Sequence, residues 1–203
     1  MTTTTQLVSG KDAYLDFTRG AITAPQKTID ELVQIMKPEP RRTFKLYGRL
    51  CTMKRSQLYF STNPDAAPYK FSRNEFPPMK VLPGSLVGIC LQHANATSGG
   101  EEYNAVFVNY YRDGSEFISP HADDEACEAA PIFTYSFGAT RQFNIRWKGN
   151  EKPEEFKRLS VPLPSGSCAV MRGADFQKHF THAIPPTKKK IGWRISLTVR
   201  KHF

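Results

Sequence analysis

No stretch of this 203-residue chain approaches the roughly 18 consecutive apolar residues that a membrane-crossing helix requires. The threonine-rich start, MTTTTQ, lacks both the basic and the apolar part of a secretion signal. These two shortages exclude a helical membrane protein and lead us to expect an intracellular protein, cytoplasmic or nuclear. Cysteine is scarce as well. Cys51, Cys90, Cys127 and Cys168 are widely spaced with no CxxC pair, which fits reduced thiols and disfavours a disulfide frame or a zinc cluster. Acid is in short supply: 19 Asp and Glu face 28 Lys and Arg, a net charge of +9. An excess of that sign points to a polyanionic partner, nucleic acid first.

The chain is long enough for one substantial core and short for two, and it has no internal repeat. We expect a monomer with one domain over residues 11–203. Residues 1–10 carry no periodic apolar pattern and are expected to form a flexible tail. Thr28-Ile29-Asp30-Glu31 has the form of a capping box, followed at helical spacing by Leu32, Ile35 and Met36 and stopped by Pro38 and Pro40. A second helix is expected after Pro83-Gly84-Ser85, with Leu86, Ile89, Cys90 and His93 on one face.

Beyond residue 102 the period changes to two. In YNAVFVNYY, Ala105, Phe107, Asn109 and Tyr111 share one face, and Val106, Val108 and Tyr110 share the other. Further strands are predicted at 132–137, 141–147, 167–172 and 193–200, and Gly138-Ala139-Thr140 reads as a hairpin turn between the first two. The fold class is therefore mainly β with flanking helices, a two-sheet architecture with the helices packed outside.

Three groups of residues carry chemistry. In SPHADDE, His121 and Asp123 are two apart, so an extended backbone projects both to one side, where one metal can touch both. Two imidazoles and a carboxylate on one face of an octahedron leave positions for a keto acid and dioxygen. The third ligand must be a distant histidine; His93 falls on the outer helix and His202 near the chain end, leaving His179 and His182. Arg194 and Arg200 are six apart in RISLTVR and so share a strand face with Ser196 and Thr198, while Ile195, Leu197 and Val199 face the core. Two guanidiniums with hydroxyls and no acid suit a dicarboxylate such as 2-oxoglutarate. Asn109 and Tyr111 add an amide and a phenol suited to the same ligand.

These residues resemble the AlkB dioxygenases. The likeness rests on N-x-Y-x-x-G (Asn109, Tyr111, Gly114), H-x-D-D-E (His121 to Glu125), Ser-Phe-Gly-Ala (Ser136 to Ala139), H-x-x-P (His182, Pro185) and R-x-S-L-T-x-R (Arg194 to Arg200). It implies a double-stranded β-helix (jelly-roll) core over about 103–203 with an N-terminal nucleotide-recognition lid over about 40–80. It also implies Fe(II) on His121, Asp123 and His182, with 2-oxoglutarate on Asn109, Tyr111, Arg194, Ser196 and Arg200 and O2 as oxidant. The family usually has Asn where this chain has Ser196. The chemistry implied is oxidative removal of a methyl group from 1-methyladenine or 3-methylcytosine in DNA or RNA, with formaldehyde and succinate released. Such a base must be single-stranded or flipped out. Tyr47 and Tyr59 in the lid are then expected to stack on it, Glu125 to read its edge, and Arg41 and Arg42, within a basic stretch that includes Lys45, Arg49, Lys54 and Arg55, to grip phosphate. Lys188-Lys189-Lys190 reads as a solvated loop. The alternative is a dioxygenase of the same fold acting on a protein or small molecule. A pure binding module is disfavoured, because it has no use for a triad and paired arginines.

Overall fold

The computed structural model describes all residues except 64, 72–73, 124–129 and 203, and the backbone but not the side chain of Leu46. The chain opens with β1 (Thr2–Gln6), β2 (Tyr14–Thr18) and helix α1 (Gln26–Met36). The segment expected to form a lid supplies β3 (Thr43–Leu46), β4 (Arg49–Thr52), β5 (Ser56–Ser61), β6 (Tyr69–Phe71), β7 (Asn74–Phe76) and β8 (Met79–Lys80). Helix α2 (Leu86–Thr97) leads into β9 (Ala105–Tyr111), β10 (Ile118–His121), β11 (Ile132–Gly138), β12 (Arg141–Trp147), β13 (Leu159–Leu163) and β14 (Ser167–Arg172). The one-turn helix α3 (Phe176–His179), β15 (Phe180–Ile184) and β16 (Arg194–Arg200) follow.

Among the described residues, a major sheet runs β1-β2-β14-β11-β16-β9-β5-β8 and a minor one β10-β15-β12-β13. The alternation read from the sequence decides which side chains go where. Val106, Val108, Tyr110, Ile195, Leu197 and Val199 face outward from the major sheet and are covered by Leu32, Val33 and Met36 of α1 and Leu86, Cys90, Leu91 and Ala94 of α2. On the inner side, Leu15, Ile132, Ala169 and Met171 meet Phe143, Ile145, Leu163, Phe180 and Ile184 of the minor sheet. The polar members of β9 and β16 face this same inner space, which is how an apolar sandwich acquires a polar cavity.

Four expectations need correction. Residues 1–10 are not a tail: β1 pairs with β2 from Thr2↔Thr18 to Gln6↔Tyr14, and Leu7 and Val8 are buried. Consecutive β-branched residues suit an edge strand even where apolar alternation is missing. The first helix starts at Gln26, and Thr28 lies inside it, its hydroxyl donating to the Pro25 carbonyl at 2.8 Å, so no capping box forms. Ile35, placed on its core face from the spacing, is instead exposed, and Ile29 and Val33 are buried. Finally, β11 and β12 do not form a hairpin, since β11 pairs with β14 and β16 while β12 pairs with β13 and β15. The two-residue link Ala139-Thr140, entered through Gly138 at the end of β11, is where the chain changes sheets. Gly138 takes φ +85° there, and a Cβ would stand 2.5 Å from the Trp193 carbonyl oxygen, so only a bare backbone fits.

Candidate metal centre and cosubstrate cavity

Strands β10 and β15 pair antiparallel with His121 directly opposite His182, and the two rings lie 4.2 Å apart between centroids. The register shifts between Ile118 and His121, an irregularity of the kind that re-aims a side chain beside a site. Asp123 follows two residues later. Its carboxylate lies 3.7 Å from Nε2 of His121 and 3.6 Å from Nε2 of His182. Each of the three offers a ligand atom, all within 4.8 Å of one another, and no other such cluster exists among the described residues.

Surrounding groups aim these donors. Nδ1 of His121 bonds to the Ser119 carbonyl at 2.9 Å, which leaves Nε2 facing the carboxylate. The Asp123 amide donates to Oε1 of Gln177 on α3 at 2.9 Å. Nδ1 of His182 is buried with no hydrogen-bond partner among the described residues, and Phe143 packs 5.4 Å from that ring. Burial, with His121 nearby, pushes the His182 imidazole down to about 3 and burial likewise lowers His121, so both are neutral at physiological pH, as a ligand must be. Burial alone would raise the Asp123 carboxyl. Arg200, His182 and His121 outweigh it and hold the group ionised, well below the usual carboxylate range. Two neutral imidazoles and a carboxylate are the donor set that suits ferrous iron, so the residues fit that ion.

The triad opens on a cavity lined by the inward face of β9 (Phe107, Asn109, Tyr111) and of β16 (Arg194, Ser196, Thr198, Arg200). Arg194 is 1% exposed. Its Nη2 donates to Ser136 Oγ at 2.6 Å, whereas Nε and Nη1 are buried without a partner among the described residues. Burial, with the adjacent Arg141, lowers it to about 10, and it stays charged. Arg200 reaches both Asp123 Oδ2 at 3.3 Å and the Tyr69 hydroxyl at 3.1 Å. Asn109 accepts at Oδ1 from Arg55 Nε (2.7 Å) and Gln57 Nε2 (3.3 Å), so the amide Nδ2 is the end that remains to donate. Arg55, Arg194 and Arg200 are offset only by Asp123 among the described lining residues. A buried excess of positive charge is costly unless an anion joins it, and a dicarboxylate supplies the two charges missing.

The substrate-side expectations fare differently. Tyr59 is 2% exposed and bonds His202 Nδ1 at 3.1 Å; it lies behind the cavity, packed on Tyr69, because the odd-numbered face of β5 turns inward at that point. Tyr69 and Phe71 line the cavity instead. Tyr47 sits at the tip of the β3–β4 hairpin, 98% exposed with φ +48°, away from the cavity lining. Arg41 is bound to the buried Glu116, and Arg42 lies 5.1 Å over Phe76; both are partly exposed beside these intramolecular partners, which the sequence alone did not show. Glu125 lies outside the described residues. Of the other histidines, His93 bonds Tyr135 and His179 stacks on Trp147, both away from the triad. Arg55 was hidden in the sequence as one cation of a basic run; its neighbour Met53, equally buried, was the available sign that this run does not stay at the surface.

The sequence profile of the 2OG-Fe(II) oxygenase superfamily matches residues 17–200. The DNA oxidative demethylase ALKBH2 of Homo sapiens is 31% identical over 163 residues, covering 77% of this chain and 60% of that protein. ALKBH2 of Arabidopsis thaliana is 27% identical over 190 residues, covering 80% of this chain and 58% of that one. The chain thus spans about three-fifths of the length of these relatives. In three dimensions it superposes on the structure of OsALKBH1 with a TM-score of 0.58 at 17% identity, over 93% of this chain and 96% of the other, which supports the jelly-roll fold. With the triad, the paired arginines and the match across both sheets in place, the chain belongs to the 2OG-Fe(II) oxygenase superfamily, among the AlkB dioxygenases.

Proposed function

We propose that the protein removes methyl groups from N-alkylated bases of DNA or RNA, using Fe(II), 2-oxoglutarate and O2. The observation that carries this reading is one cavity that joins an iron-type triad, a buried guanidinium with two uncommitted donor atoms, and the aromatic rings of Tyr69, Phe71 and Phe107. His121, Asp123 and His182 would hold the iron. When bound, iron and 2-oxoglutarate supply the oxidation: O2 and 2-oxoglutarate become CO2 and succinate as an N-methyl group gains one oxygen.

The chain's own groups set the geometry. Arg194, with Ser196 and Tyr111 beside it, binds one carboxylate of 2-oxoglutarate deep in the cavity. Arg200, beside the metal acid, takes the other, and Asn109 donates from the side. Closely packed Phe143, Ile118 and Ile184 keep the wall apolar and exclude water. The hydroxymethyl product on nitrogen then releases formaldehyde without help from the protein, since the carbon–nitrogen bond breaks as the hydroxyl proton is lost. Tyr69 and Phe71 provide faces on which an extruded base stacks. The exposed Lys45, Tyr47 and Arg49 on the β3–β4 hairpin, with Arg41 and Arg42 at its base, are suited to the flanking strand. Glu125, two residues beyond Asp123, is assigned to the base edge.

The ALKBH2 relatives are named DNA oxidative demethylases, which supports nucleic acid over protein as substrate. Mass spectrometry of 1-methyladenine and 3-methylcytosine oligonucleotides incubated with the protein, Fe(II) and 2-oxoglutarate tests the proposal. A loss of one CH2 mass per lesion supports it; unchanged oligonucleotides, with succinate formed only on adding a peptide or metabolite, would sink it.

A further inference from the structure

Strand β10 is an edge strand whose pairing to β15 rests on two register positions, Ile118↔Ile184 and His121↔His182, with an irregularity between them. A four-residue edge strand held this way has little to fix its distance from its neighbour. Yet the separation of His121 and His182 has to match one ion. The sequence offers a candidate for what fixes it. Arg141, at the start of β12, is 3% exposed, carries no ion pair at its guanidinium among the described residues, and plays no part in the cavity lining.

Its hydrogen bonds all run to backbone carbonyls. Nη1 donates to Asp113 at 3.1 Å, and Nη2 donates to Glu116 at 2.8 Å and Pro185 at 2.6 Å, with Gly114 a longer contact at 3.4 Å. Asp113 to Glu116 form the turn that feeds β10, and Pro185 is the residue after β15. The same junction is closed by the Thr187 amide donating to the Gly114 carbonyl at 2.8 Å, where a Cβ on Gly114 would press Thr187 Cγ2 at 2.8 Å. Glu116 braces the turn from its other side: it accepts from the Arg112 amide at 2.8 Å and binds Arg41. The Arg141 guanidinium also lies 5.7 Å from the Tyr111 ring centroid, while Arg194 lies 5.3 Å from it.

We propose that Arg141 is a positioning residue for the metal centre: its planar fork clamps the head of β10 to the tail of β15 and so sets His121 against His182. A planar group with several fixed N–H directions on separate nitrogens holds carbonyls of two segments at a set spacing, whereas an ammonium is a single point with three rotatable donors. The proposal rests on the reading of the triad as an iron site.

The test is metal affinity, read on the full chain with Mn(II) as a redox-silent probe and followed by the electron paramagnetic resonance of the free ion. Arg141→Lys keeps the charge and loses the fork; Arg172→Lys, which alters a surface pair with Asp16 far from the triad, is the control. We expect Arg141→Lys to bind Mn(II) roughly ten- to a hundredfold more weakly, the loss typical of groups that orient metal ligands, and Arg172→Lys to bind as the unaltered protein does. A folded Arg141→Lys with unaltered affinity overturns the proposal. Should Arg141→Lys not fold, Arg141→Gln, which keeps a polar donor but loses the second arm of the fork, is read in its stead, and a folded variant with unaltered affinity overturns it equally. Failure of the unaltered protein to bind Mn(II) would instead strike the iron reading itself.

Discussion

Arg200 and Asp123 are joined at 3.3 Å, so one of the two arginines on β16 also neutralises the acid of the metal triad, while Arg194 on the same face keeps two buried donor atoms uncommitted. The two arginines therefore differ in what their loss does. Arg194→Met is expected to weaken 2-oxoglutarate by about 2–3 kcal/mol, roughly 30- to 150-fold, with Mn(II) affinity unchanged. Arg200→Met is expected to weaken 2-oxoglutarate and also to change Mn(II) affinity, because it removes the cation paired with the Asp123 carboxylate. Calorimetric titration of each ligand into each variant checks this, and equal loss of metal affinity in both would contradict it.

Removing residues 1–8 deletes an edge strand and the buried Leu7 and Val8. Burial of such side chains is worth about 1.5–3 kcal/mol each, so the truncated protein should melt several degrees lower. An unchanged melting temperature would restore the flexible-tail expectation.

Sequence and structure agree most where a period of two is strict. Asn109 and Tyr111 against Val108 and Tyr110, and Arg194 and Arg200 against Ile195 and Val199, were legible because each neighbour must face the opposite way, and one side had to be core. The His121–Asp123 pair was legible for the same reason, whereas His182 over His179 came from resemblance. What failed was what depends on partners. Adjacent strands β11 and β12 join different sheets, and nothing in Gly138-Ala139-Thr140 says so. Tyr59 and Tyr69 are both tyrosines of short strands, and only packing against His202 and Arg200 decides which one lines the cavity.

That last distinction predicts a contrast. Tyr59→Phe removes a hydroxyl bonded to His202 and should cost about 1 kcal/mol of stability while leaving the kinetics alone. Phe71→Ala, partly exposed on the cavity wall, should raise KM for a methylated oligonucleotide with little change in stability. Thermal unfolding and steady-state kinetics on both variants separate the roles; a KM effect confined to Tyr59→Phe would reverse the assignment.

Cys90, on the buried face of α2, and Cys168, on β14, are both buried, and burial pushes the Cys168 thiol up to about 12 and raises Cys90 well above its ordinary value near 9. Above pH 9 the unfolded thiols ionise while the folded ones stay protonated, so the folded state holds more protons and stability falls as pH rises toward the folded value. Melting temperature should decline through this alkaline range, and Cys168→Ala should flatten the decline even as it lowers stability at neutral pH. A decline equally steep in that variant would assign the effect to other groups.

In the proposed function, one cavity couples consumption of 2-oxoglutarate to loss of a methyl group from a nucleobase. Succinate and repaired base, quantified together from one reaction on a 3-methylcytosine oligonucleotide under single-lesion conditions, test it most directly. One succinate is expected for each methyl lost, with both products abolished in His121→Ala. Succinate formed at the same rate with unmethylated and methylated strands, and no change in the base, would contradict it.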